Sequence, residues 1–113
     1  MNRQTDQARA MAAEYADMLD GWPITLRPLF GAIALYRAGV VFAMVWEGGL
    51  YCKTDADTQA DYDAAGSRPL IYQTKGEERA LTSFREVPAE VLDDPETLLE
   101  WAERAFQAAI AGR

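Results

Sequence analysis

The stretch VVFAMVWEGGLYCK, residues 40–53, decides the fold. An apolar run from Val40 to Trp46 is interrupted by Glu47-Gly48-Gly49, and a second run follows from Leu50 to Lys53. β-Branched and aromatic residues in a run of this length, closed by a Gly-containing turn, specify a strand and a hairpin rather than a helix. Strict alternation places Val40, Phe42, Met44 and Trp46 on one face and Val41, Ala43 and Val45 on the other. Both faces are then apolar, and such a strand needs cover on both sides. Helices can supply one layer. The second has to come from more helix, a loop or a partner chain.

Working outward, residues 28–36 read as a strand that turns at Arg37-Ala38-Gly39, which makes a three-stranded meander with 40–46 and 50–54. Pro69–Gln73 and Ala80–Val87 read as two further strands, joined by a polar loop over 74–79. Ala8, Met11, Ala12, Tyr15, Met18 and Leu19 fall on one helical face, predicting a helix over 6–19 with Thr5 or Asp6 as its cap and Asp20-Gly21 as its stop. An acidic helix is expected over 55–65, capped by Asp55 and closed by Gly66, and a single turn over 88–92. Asp94-Pro95-Glu96 is a strong helix start, with a cap, a proline at the first position and an acid next. Leu98, Trp101, Ala102, Ala105, Phe106 and Ala109 line one face of the helix that follows, up to Gly112. The order is α-β-β-β-α-β-β-α, an α+β fold in one domain over residues 1–113.

Composition excludes several functions. Half of the 113 residues are apolar and 26% are charged, as in a globular domain. Eleven Lys+Arg oppose eighteen Asp+Glu, a net charge of -7, which repels a phosphate backbone and argues against direct nucleic-acid binding. A single Cys cannot form an intramolecular disulfide and fits a reducing compartment. The polar N-terminus carries no signal peptide, and the apolar runs are too short to span a membrane, so the expected location is cytoplasmic.

No His is present, which removes Ser-His-Asp and Cys-His nucleophile systems and every His-based metal site. No glycine-rich phosphate loop occurs. Asp55, Asp57, Asp61 and Asp63 suggest calcium, but an EF-hand loop counted from Asp55 has Ala60 where Gly belongs and Gly66 where Glu belongs. The sequence thus assigns no catalytic residue, metal or cofactor. Cys52 alternates with Tyr51 and Lys53 and reads as an inward small hydrophobe. Lys53, a charge at the end of an apolar strand, is the better functional candidate; the other reading pairs it with Asp55 or Asp57.

The run RPLFGAIALYRAGVVFAMVWEGGLYCKTD resembles the N-terminal domain of the TfoX/Sxy family of competence regulators. The matching residues are Arg27, Phe30, Gly31, Tyr36, Gly39, Phe42, Ala43, Leu50, Tyr51, Lys53 and Asp55, continued by Tyr62, Gly66, Pro69, Tyr72, Pro88 and Trp101. The likeness runs from about residue 23 to the C-terminus. Leu29, Ala32, Ala34 and Cys52 depart from the family pattern by small or apolar exchanges. The resemblance implies an antiparallel sheet, of about five strands here, with the N- and C-terminal helices packed against it. Larger members add a C-terminal helical domain, so the competence role does not transfer directly to a single domain.

Two functions remain. The first is a non-catalytic regulatory or protein-interaction module, with transcription machinery among its partners and a homodimer as the simplest assembly. The second is a small-ligand or anion-binding protein, using Arg27, Lys53 and Arg68 beside Tyr36 and Tyr51 on the mildly basic sheet segments. Whether those bases face an anion or pair with the acids of the helices stays open from sequence.

Overall fold

The computed structural model describes residues 3–19, 21–29 and 31–112. Its elements are α1 (Arg3–Met18), β1 (Ile24–Leu29), β2 (Ala32–Arg37), β3 (Val40–Trp46), β4 (Gly49–Lys53), α2 (Ala56–Ala64), β5 (Pro69–Thr74), β6 (Glu77–Glu86), α3 (Ala89–Leu92) and α4 (Pro95–Ala111). One antiparallel sheet of six strands has the spatial order β1-β2-β3-β4-β6-β5.

The α+β class and the helices at both ends are as expected, with an extra strand. The segment 28–36 is two strands rather than one. β1 pairs with β2 up to Leu29↔Ala32, so the chain reverses inside an apolar run. Phe30 lies outside the described residues, and so does Asp20 of the expected helix stop. The helix α1 begins at Arg3, which puts Thr5 and Asp6 inside its first turn rather than at the cap. The expected loop over 74–79 shrinks to Lys75-Gly76, whose positive φ values of 47° and 80° are those of a tight type I′ hairpin turn. Both other caps are as read. Asp55 and Thr58 close a reciprocal capping box on α2, and the Asp94 carboxylate accepts from the Glu96 amide at the start of α4.

β3 does not alternate strictly. Leu35 pairs with Ala43 but Tyr36 pairs with Val41, so Phe42 is the extra residue of a β-bulge. The bulge turns both Phe42 and Ala43 toward the helices. Val40, Phe42, Ala43 and Val45 therefore pack under α1 and α4, and Val41, Met44 and Trp46 face the other way. On the helical side Phe42 meets the rings of Trp22 and Phe106, at 5.4 and 6.4 Å between centroids.

The second layer over β3 is the sheet itself. β3 and β5 are three strand spacings apart, about 14 Å in a flat sheet. Yet Trp46 Nε1 donates to the Ile71 carbonyl at 3.0 Å. The β5–β6 hairpin must curl back over the face of the sheet away from the helices. Ala32, Ala34, Met44, Tyr51, Leu70 and Phe84 are buried inside this curl.

Candidate functional site

One end of the concave face stays open. Cross-strand pairing lines up Thr25, Tyr36 and Val41 in one row, and Lys53 beside Phe84 in the next two strands. Tyr36, Val41, Lys53 and Phe84, with Gly39 and the end of α4 at Ala109 and Gly112, line a cavity of about 310 Å³. A second cavity of about 280 Å³ adjoins it, lined by Thr25, Arg27, Tyr36 and Gly39. Tyr36 and Gly39 line both, so the two cavities adjoin across Tyr36, with Lys53 on the first and Arg27 on the second.

Both cations rest on aromatic rings. The Arg27 guanidinium lies 5.7 Å from the Tyr36 ring centroid, and Lys53 Nζ lies 5.4 Å from that of Phe84. Lys53 Nζ also donates to Ser83 Oγ at 3.0 Å. Neither cation has a carboxylate partner among the described residues. Asp55, one of the expected partners of Lys53, accepts from the Thr58 amide instead, which holds its carboxyl below the usual carboxylate range.

The other candidates lie elsewhere. Tyr51 is on the concave face, but with Arg68 it lines a space of only about 110 Å³ at the opposite end of the sheet, beside Trp46, Glu47, Pro69 and Ile71. Arg68 is spent on Glu86, at 3.8 Å. Burial first, then the Glu86 carboxylate, pushes the Tyr51 hydroxyl pKa up. The structure thus groups Arg27, Tyr36 and Lys53 and separates them from Tyr51 and Arg68.

Cys52 is buried on the helical side, and burial pushes its thiol pKa up to about 12, against a smaller opposite pull from its hydrogen bond with Tyr62. It is a packing residue, not a nucleophile. Two acids of α2 are also occupied: Asp61 pairs with Arg104 and Asp63 with Arg85. No group of three or more potential metal ligands occurs among the described residues, and no helix among them is long and apolar enough to cross a membrane.

The geometry gives several of the motif residues a structural reason. Gly31 has φ +85°, and a Cβ there would meet Trp46 Cζ3 at 3.3 Å. Phe42 makes the bulge, Asp55 caps α2, and Tyr62 stacks edge-on against Trp101 at 4.7 Å. A family model for the TfoX N-terminal domain matches residues 7–109. The chain belongs to the TfoX N-terminal domain family. No curated protein matches it. The match begins within α1, upstream of where the motif residues start, so the first helix is part of the TfoX N-terminal domain. This is a family of non-enzymatic domains. Among its motif positions, Tyr36, Gly39 and Lys53 line the first cavity, and Arg27 lines the second. Phe84 and Val41, which line the first cavity, and Ser83, which holds Lys53, are residues that sequence reasoning missed. They follow from pairings between β4 and β6 and from the bulge in β3, neither of which leaves a local signal.

Proposed function

We propose that this TfoX N-terminal domain is a non-catalytic regulatory or protein-interaction module. The observation that carries the reading is the family match over nearly the whole chain. Support also comes from α4, where Trp22, Leu99, Glu100, Glu103 and Arg104 border an open depression of about 510 Å³. An apolar floor with an acidic rim suits a protein partner with basic residues around an apolar anchor. A component of the transcription machinery is the partner class in keeping with the family. The β5–β6 hairpin covers much of the concave face of the sheet, which favours the edges β1 and β5 and the outer face of α4 for a homodimer. Affinity purification of the tagged protein from its own cells tests the module. Recovery of RNA polymerase or a transcription factor, lost in a Leu99→Glu variant, supports it. An empty eluate at near-endogenous expression overturns it.

A second reading, a small-ligand or anion-binding protein, has its own observation: two cations without carboxylate partners among the described residues border adjoining cavities. Thermal-shift screening against acidic metabolites tests it, and stabilisation by none of them removes it.

A further inference from the structure

We propose that the adjoining cavities at Arg27, Tyr36 and Lys53 bind a small organic dianion, with one acidic group at each end and an apolar segment between them. This rests on the anion-binding reading above and names its ligand class.

The charge distribution carries the proposal. The chain has seven more acids than bases, so a base has many potential partners. Arg37, Arg68, Arg79, Arg85 and Arg104 each find one, in Glu103, Glu86, Glu77, Asp63 and Asp61. Among the described residues Arg9, Arg27, Lys53 and Lys75 do not; of these, Arg27 and Lys53 are brought together, on adjoining cavities. Lys53 is half-buried, its ammonium held by the Ser83 hydroxyl and the face of Phe84. These contacts orient a cation without neutralising it. One negative group at each end would do so, whereas a monoanion leaves one cation uncompensated.

The floor between the cations is the ring of Tyr36 with Val41, which suits an apolar linker and offers no third charge. Ser83 Oγ accepts from Lys53, so its own proton is free to be donated to the acid that Lys53 holds. Arg27 presents a planar fork suited to a carboxylate or phosphate. Each cavity is near the lower end of the volumes that hold small ligands, about 300 Å³, so the two together fit one elongated molecule. A polyanion is disfavoured because the protein as a whole repels it.

Isothermal titration with straight-chain dicarboxylates from succinate to suberate, each beside the monocarboxylate of equal length, tests this. The expected result is one preferred length that binds about tenfold more tightly than its monoacid, which is ~1.4 kcal/mol. Lys53→Met and Arg27→Met should each bring the diacid down to the monoacid's affinity, while Arg79→Met, on the remote hairpin, changes nothing. Arg27 is exposed on an edge strand, so its variant keeps the test alive if Lys53→Met fails to fold. Equal binding of monoacid and diacid overturns the dianion proposal and leaves the anion reading standing. No binding of either overturns both.

Discussion

Gly31 and Trp46 set each other's position. The backbone of Gly31 occupies the left-handed region, which costs a side-chain-bearing residue about 1–3 kcal/mol. A Cβ there would stand 3.3 Å from the Trp46 ring, tighter than ordinary contact, so the ring would have to shift slightly. Gly31→Ala should therefore destabilise the fold by about that amount or more, read as a lower urea midpoint with unchanged slope. Cys52 makes a separate prediction, for pH. Its folded pKa is raised from 9.0 to about 12, so unfolding releases the thiol proton at a lower pH than the fold does. The stability from the neutral thiol is whole below about pH 9 and is lost as pH rises toward 12, by about 1.4 kcal/mol per unit. Tyr62, whose pKa burial also raises, adds loss in the same direction at higher pH. Urea midpoints at pH 8 and 9.5 should fall in the native protein and stay nearly level in Cys52→Ala.

At the scale of elements, the Trp46–Ile71 hydrogen bond adds to the apolar cluster that closes the curl. Trp46→Phe keeps most of the apolar contact but leaves the Ile71 carbonyl without its donor, a loss of about 1 kcal/mol. Hydrogen exchange should quicken in β5 before it does in β2 and β3, which the helices hold; uniform quickening would mean that Trp46 does not pin the hairpin. Asp94→Ala should cost about 1 kcal/mol through loss of the α4 cap, and Asp94→Asn should recover most of it. The caps were legible because a helix start is a local event, written in Asp55 and in Asp94-Pro95-Glu96. β1 was hidden because its reversal into β2 has no polar turn residue: Leu29-Phe30-Gly31-Ala32 reads as continuous strand. The bulge at Phe42 was equally silent, since it exists only against the register of β2. Lys53 and Tyr36 could be picked out from sequence by type and position. Their separation from Tyr51 and Arg68 could not, because it depends on which end of the curled sheet each one reaches.

At the scale of the whole molecule, the apolar second face of β3 asked for a layer that the sequence could not name, and the sheet supplies it by folding on itself. That removes the strongest sequence argument for a partner on this face and moves the open chemistry to the end of the curl. The charge pattern points the same way. Most described arginines are tied to helix or hairpin acids, which leaves few described bases free to follow a duplex. With a net charge of -7, long-range forces oppose a phosphate backbone, and two cations on adjoining cavities are too few to reverse them. Fluorescence anisotropy of a labelled duplex should stay flat as protein is added at ~0.15 M salt. If binding did occur through a hidden basic surface, its affinity would fall with salt by a slope near the number of phosphates neutralised. For Arg27 and Lys53 alone that number is two at most, too shallow for stable binding. A steeper slope would require cations that are now engaged in ion pairs to exchange their carboxylates for phosphates, and Arg85→Ala or Arg104→Ala would then weaken binding more than Lys53→Met does.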